Sequence, residues 1–548
     1  MTSWKKSCLS ESMEVFYNAN IYAPNTPGAT ALVIDNGCFT WLGSDSEILS
    51  KHFEDENKIN CQGKTIWPGL TDAHVHLQIL ADSMAIVNCE TGTMGACLAN
   101  VKNAANQFPQ GSWVRGHGWN HNQWEEGLGT AAILDAVTQA HPAYLTAKSL
   151  HAAWANSRAL AIAGIDEHTP DPPSGVIQRD KSGKPTGILL EAGAMRLVES
   201  VIPKPTLEEI QANIRSLIPA LWGMGLIGVH DFDGIQCWQA LQLLHQNGEF
   251  PFRIRKNVPF DHLDTFIKSG LQTNDGNDWL NVGCLKLFAD GALGPQTAAM
   301  KEPYVGGDNT GQLLLSSDEI LEIGKKAVNH GIALSIHAIG DRANEVVLNA
   351  YARLRAYEEE NHLPYYRHRI EHVQIIHPTD IQRLKKLDII ASIQPIHAPS
   401  DMQMADKYLG SRSHNAYAYK SILNRGVRIV CGSDAPVEPV NPFFGLHAAV
   451  TRRTIKGQPG PEGWHPEQRL PVENALDGFS YQPAVISARG SHLGKIKTGY
   501  RADFLILEVD PFQINPHLIS KIKPAATFIE GKCFYKDPNL DMEFNCTK

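Results

Sequence analysis

Residues 65–76, TIWPGLTDAHVH, are the stretch on which the architecture turns. The apolar run IWPGL leads into two histidines, His74 and His76. Residues i and i+2 of a strand face the same side, so two imidazoles placed this way can close on one ion. Short β-rich runs recur seven times downstream: GLIGVHDF (225–232), FRIRKNVPF (252–260), VGCLKLFADG with Lys286, IALSIHAIGD with His337, HRIEHVQII with His372, DIIASIQPIH with Gln394, and VRIVCGSDAP with Asp434. Segments of helical periodicity, such as SSDEILEIGKKAVNHG (316–331) and HPTDIQRLKKL (377–387), separate most of them. Apolar strands alternating with helices predict a parallel sheet covered on its outer face. Eight of them predict an α/β chain built on a closed (β/α)₈ TIM barrel. The alternative is an open doubly wound sheet, and the polar residues argue against it. His74, His76, Lys286, His337, His372 and Asp434 all fall at or near the C-terminal end of their strand. A closed barrel brings those ends to one pocket; an open sheet would keep the first and eighth apart.

Outward from the barrel, the pattern changes twice. Roughly 150 residues separate the first two strands, against two to six in an ordinary βα loop. This stretch has strand-like runs, SWVRGHGW and PAYLTAKSL, and a helical one, AAWANSRALAIAG. It is expected to form an inserted subdomain, about 85–222, over the barrel mouth. MEVFYNANIYA and ATALVIDNGCFTWLG near the start, and RADFLILEVD and KPAATFIEGKCFYK near the end, are short turn-punctuated β segments. Both termini are expected to join in one small β-sandwich, residues 1–64 with 485–548, flanking a barrel of 65–484.

The chain of 548 residues is long enough for a large core and an accessory domain. Its net charge of −9, with no nucleic-acid-binding motif, argues against a nucleic-acid or anionic-membrane partner. No apolar run reaches the length of a membrane span, and the start, MTSWKKSCLSESMEVF, has no secretory core. Ten scattered cysteines include no CxxC pair. Reduced, buried thiols and a cytoplasmic setting are therefore expected. The expected partners are a small-molecule substrate and, at most, a second copy of the chain.

The polar residues at the strand ends suggest chemistry. Four imidazoles on one rim are hard to explain by packing, since each needs a partner. Asp434, beside them, suits a ligand and general base. Lys286 lies between Leu285 and Leu287, where a free ammonium is poorly solvated. Two readings of it stay open: a neutral amine that takes up CO₂ and bridges two cations as a carbamate, or an ammonium paired with Asp290.

The same stretches resemble the amidohydrolase superfamily, in the family 3 branch related to N-substituted formamide deformylases. The resemblance covers nearly the whole chain. It rests on PGLTDAHVHL, LHAAWANSRALAIAGID, PSGVIQRDKSGKPTGILLE, KLFADGALG, SIHAIGDRAN, HRIEHVQ, SIQPIHAPSD, GSDAPVEPVNPF, HPEQRLPVENAL and LGKIKTGYRADFLILEVDPF. It implies one or two divalent ions, usually Zn²⁺. His74, His76 and Asp434 would hold one and His337 and His372 the second, with a carboxylated Lys286 between them. Asp434 would also take the proton of the attacking water. The insert reads SLHAAW (149–154) where an Asp-Gly pair is expected before the histidine, a departure that bears on substrate preference. His151 and Trp154 there, with Gln394 and His397, are the expected substrate-binding residues. The implied activity is hydrolysis of a non-peptide C–N bond, in an amide or an N-acyl or N-formyl amine. The other readings are a lactonase or esterase on the same site, and a non-catalytic regulatory protein that keeps the barrel.

Overall fold

The computed structural model describes residues 13–50, 58–84, 86–119, 121, 124–147, 152–172, 175–248, 250–294 and 296–547. Its centre is a sheet of eight strands: β1 (Leu70–Val75), β2 (Leu226–Asp231), β3 (Arg253–Pro259), β4 (Leu280–Phe288), β5 (Leu334–Ala338), β6 (Arg369–His372), β7 (Ile390–Ile393) and β8 (Ile429–Cys431). Each pairs in parallel with the next. The ring closes just past the ends of β8 and β1. There Asp434 N–H donates to the His74 carbonyl at 2.8 Å, and His76 N–H donates to the Ala435 carbonyl at 2.9 Å. The expected barrel is thus the observed one. Its strands are covered on both faces, which is why they read as unbroken apolar runs: in β4 every residue from Leu280 to Leu287 is buried.

The covering helices follow local rules. Helix Ser317–Val328 begins at a capping box in which the Ser316 side chain and Glu319 satisfy each other's backbone N–H groups. It buries Ile320, Leu321, Gly324, Ala327 and Val328, one stripe at helical spacing. Helix Pro378–Lys386 opens with proline at its first position and ends in Arg383, Lys385 and Lys386, as the helix dipole favours.

The residues between β1 and β2 include a separate compact unit, Ala81–Asn213, somewhat narrower than the expected 85–222. It is built on a six-stranded sheet, ordered 176–179, 185–190, 152–155, 143–147, 114–119, 87–88. Trp119, Trp124 and Trp154 pack together on one face, with ring centroids 6.2–6.5 Å apart.

The two ends of the chain form the expected sandwich. One sheet runs 38–43, 31–35, 14–17, 58–60; the other runs 20–21, 65–68, 504–507, 524–529, 532–536. Thr65–Pro68 lies antiparallel to Phe504–Leu507, so the early and late segments share one sheet. Between the sheets Phe504 stacks on Phe528 at 4.4 Å, and Phe16 meets both edge-on. Cys533 and Cys546 are paired as a disulfide, while Cys61, Cys89, Cys97, Cys237, Cys284 and Cys431 are buried free thiols. Residue 546 bridges in parallel to residue 533, a pairing of neighbours that cysteine spacing does not reveal. No helix among the described residues is long and apolar enough to cross a membrane.

Candidate metal centre

The ends of β1 and β8 set the first cluster. His74 lies on β1 and His76 just beyond it, two residues apart and therefore on one side of the backbone. Asp434 follows β8. His74 Nε2 is 3.4 Å and His76 Nε2 3.5 Å from Asp434 Oδ1. Two ligands, each ~2.0–2.1 Å from one tetrahedral ion, stand about 3.4 Å apart, so both distances to Asp434 already match an edge of such a coordination shell. A second group, His372, His397 and Asp434, also has its ligand atoms within 4.8 Å of one another, with His397 Nε2 4.0 Å from Asp434 Oδ2. Asp434 belongs to both. The imidazoles continue across the rim: His74 to His372 is 5.1 Å between ring centroids, and His372 to His337 is 4.5 Å.

His74, His76, His372 and His337 each have one nitrogen fixed by a partner, which leaves the other for the pocket. His74 Nδ1–H donates to Glu371 Oε2 at 2.6 Å, and His76 Nδ1–H donates to Asp233 Oδ1 at 3.1 Å. His372 Nδ1–H donates to Gln394 Oε1 at 2.8 Å, and His337 Nε2–H donates to the Gly291 carbonyl at 2.9 Å. Glu371 is itself gripped by Arg369 and by the Ser335 hydroxyl. Burial alone would neutralise its carboxyl, but the Arg369 charge and the His74 bond hold it well below the usual range. His74, His337 and His372 are held neutral, as ligands must be. Burial and then the Lys286 charge bring His74 down to about 4 and His337 to about 3. His76 moves the other way, because its bond to Asp233 and that carboxylate's charge outweigh burial.

Lys286 is 5% exposed, and its amine lies 4.6 Å and 4.8 Å from the rings of Phe232 and Phe288. Among the described residues no carboxylate oxygen lies within 4.0 Å of it, so the pairing with Asp290 is not formed. Asp290 is instead occupied by the N–H groups of Ala299, Ile339 and Gly340. Burial pulls the lysine pKa down to about 8, against the opposing charges of Glu371 and Asp434.

Two of the expected ligands sit in strained backbone. His372 has φ 73° and Asp434 φ 62°, the left-handed region that non-glycine residues avoid. Such conformations cost about 1–3 kcal/mol each and persist only where the surroundings impose them. At Asp434 the imposing contacts are visible. Buried Asp72, two residues before His74, accepts the N–H groups of both His74 and Ser433 and so ties the end of β1 to that of β8.

Of the expected substrate residues, Gln394 and His397 lie at the histidine rim and Trp154 inside the insert. Gln394 is buried and spends its oxygen on His372, with its amide nitrogen unpartnered. His397, also with an unpartnered Nε2, stands beside Asp434 in the second group, where His337 was expected. Trp154 is 1% exposed, and its Nε1–H donates to the Thr130 carbonyl inside the insert's own core. His151 lies outside the described residues. Glu371, Asp233, Asp72 and Arg369 were not anticipated. The available signal was a charged residue inside a doubly covered strand or immediately past it, as in RIEH and VHDFD.

The model of the amidohydrolase family matches residues 58–535. The chain belongs to the amidohydrolase family. It is 32% identical to YtcJ of Bacillus subtilis over 92% of this chain and 96% of that one. It is 29% identical to the N-substituted formamide deformylase of Arthrobacter pascens over 95% of this chain and 97% of that one. In structure it is similar to a metal-dependent hydrolase from Pyrococcus furiosus, with TM-score 0.75 and 26% identity, over 91% of this chain and all of the other. This amidohydrolase is accordingly a metal-dependent hydrolase. Its donor set fits a divalent ion: imidazoles oriented by partners on their other nitrogen, one carboxylate common to two groups, and a buried, unpartnered Nε2 on His397.

Proposed function

We propose that this amidohydrolase cleaves a non-peptide C–N bond, in an amide or N-acyl amine of small size, with water as the second substrate. The observation that carries the proposal is Asp434, one carboxylate within reach of His74, His76 and His397 at once. His74, His76 and Asp434 would hold one divalent ion, Zn²⁺ by the chemistry of its donors, and His337 and His372 would face a second. The ion supplies Lewis acidity, acidifying water and polarising the carbonyl to be attacked. Asp434 takes the proton of the attacking water and returns it to the leaving nitrogen. Glu371 keeps His74 in the tautomer that offers Nε2, and Gln394 does the same for His372. Lys286, neutral for part of the time near pH 8, adds to CO₂ with loss of one proton; the resulting carbamate supplies a second anionic ligand. Its burial and its lack of a carboxylate partner support this role. The likeness to a deformylase supports an acyl or formyl group on the nitrogen.

The test combines metal analysis of protein purified without chelator with turnover on a panel of N-formyl, N-acetyl and N-aryl-acyl amines, lactones and esters. The expected result is bound divalent metal and preference for the amides. Full turnover in protein shown to be metal-free would overturn the proposal, and so would a preference for the esters.

A further inference from the structure

Among the described residues two lysines are buried, and their surroundings are opposite. Lys286 has no carboxylate partner. Lys256, on β3, has no exposed surface, and its amine lies 2.9 Å from Oδ2 of the equally buried Asp231. The two stand opposite each other in the register of β2 and β3, and Asp231, the last residue of β2, is also in register with Val75 of β1. Burial works against the Lys256 charge, but Asp231 and its neighbours outweigh burial and hold the pKa above the ordinary lysine value. Asp231, Asp233 and Cys237 are grouped closely enough to hold a cation, and the cation at Asp231 is this ammonium.

The bonds of this pair converge on one contact, that of His76 with Asp233. Asp231 Oδ1 accepts the N–H of Leu77, the residue after His76, at 2.8 Å, and Oδ2 accepts the N–H of Asp233 at 3.1 Å. One carboxylate thus fixes the backbone on both sides of the contact. Lys256 donates to the Asp233 carbonyl, and to that of Asn257 at 3.0 Å. With its N–H and C=O both held, Asp233 has its carboxylate aimed at β1. Its Oδ1 takes His76 Nδ1–H at 3.1 Å, and its Oδ2 takes the N–H groups of Gln78 and Ile79 at 2.5 and 3.3 Å. Cys237 contributes a thiol donor, 3.6 Å from Asp231 Oδ2.

We infer that Lys256 and Asp231 are positioning residues for His76, acting through Asp233, and that they set how tightly the β1 side of the rim holds its ion. This rests on the reading of His76 as a ligand. Taking two charges out of water offsets most of what a buried pair gains, and apolar residues of similar volume often serve a fold as well or better. What this pair supplies is direction. A metal-bound imidazole is oriented and tuned by the group behind it, and that group must itself be held. His74 shows the same layering, with Glu371 behind it and Arg369 behind Glu371. The difference is the grip: Arg369 holds the buttressing carboxylate itself, whereas Lys256 and Asp231 hold the buttress by its backbone.

The experiment uses the full chain loaded with Zn²⁺ and reads affinity by competition with a chelator, alongside Tm. Asp233→Ala removes the buttress and should weaken binding about 10–100-fold. Lys256→Met alone leaves the Asp231 charge buried and unpaired, which threatens the fold. The decisive variant is therefore neutral at both positions, Asp231→Asn with Lys256→Met, and has one acceptor oxygen where Asp231 uses two. It should fold and weaken Zn²⁺ binding about tenfold. Adding Asp233→Ala to it should cost less than Asp233→Ala costs the unaltered protein, because both changes act on one bond. With Co²⁺ in place of Zn²⁺, the visible absorption should shift in the same direction in Asp233→Ala and in the neutral pair. Unchanged affinity in the folded neutral pair, or losses that add in full with Asp233→Ala, overturns the inference. A neutral pair that fails to fold overturns it too, since the pair would then serve the core. His76→Ala separates this failure from that of the reading beneath it. If His76→Ala leaves Zn²⁺ binding intact, His76 is no ligand; if it loses the ion while the neutral pair keeps it, only the positioning role falls.

Discussion

The two sides of the histidine rim are held differently. His74 and His76, from β1, each donate to a carboxylate, Glu371 and Asp233. His372 and His337, from β6 and β5, donate to neutral oxygens, the Gln394 amide and the Gly291 carbonyl. A carboxylate behind an imidazole raises its basicity and fixes its orientation more firmly than an amide does. The side nearer β1 should therefore bind its ion more tightly, and the side nearer β6 should give up an ion first. Asp434 sits where the two meet, which makes it the residue whose loss is felt by both.

The largest expected effect comes from removing that common residue's proton chemistry. Asp434→Asn keeps an oxygen ligand but cannot accept a proton. Turnover should fall by about 10²–10⁴-fold, with much of the metal retained in elemental analysis; near-native kcat would remove Asp434 as the base. Next in size is Lys286→Ala, which should lower kcat by a similar or somewhat smaller factor and lose metal chiefly from the β6 side. Part of that loss should return on adding a short carboxylate such as propionate. No rescue, together with an unmodified amine in a high-resolution map, would leave Lys286 as a cation over aromatic rings.

The asymmetry itself is broken by exchanging the buttresses. Glu371→Gln should weaken metal binding on the β1 side about 10–100-fold, read by competition with a chelator. Gln394→Ala should cost the β6 side less than about tenfold. If the two substitutions weaken binding equally, the carboxylate confers no advantage and the comparison fails. Glu371→Gln also leaves Arg369 buried without its acid, so unfolding must be measured alongside to separate affinity from stability.

The smallest effect separates these rings from His230, buried in the same barrel but with both nitrogens occupied. Its folded pKa lies well below 6.5, through burial and then the charges of Arg369 and Arg255. The unfolded chain therefore takes up a proton that the folded one refuses. Stability from this group is complete above pH 6.5 and is lost as pH falls toward the lowered value. Metal suppresses titration of the ligand histidines but not of His230. The acid decline in Tm should therefore persist in metal-loaded protein and flatten in His230→Gln; a decline that vanishes on loading metal would assign it to the rim.

The legibility of these features follows from their range. The barrel could be read because each strand declares itself locally, as an apolar run with a polar end. His74 and His76 could be paired because they share a strand. The charge inside the covered strand RIEH marked Glu371 as needing a partner, but not which one, since His74 is 297 residues away. The two readings of Lys286 were balanced in sequence because spacing cannot tell whether Asp290 is free. It is not: three backbone N–H groups from outside β4 occupy it. His397 shows the same limit, since a turn between Gln394 and the helix that begins at His397 decides whether it meets Asp434.

The sandwich imposes an order on synthesis. Thr65–Pro68 has its antiparallel partner at Phe504–Leu507. One edge of this early strand thus waits for a partner made about 440 residues later. At roughly 5–20 residues per second that interval is on the order of 20–90 s, during which an apolar edge is uncovered. Arrest of translation before residue 504 should therefore leave that segment open to proteolysis.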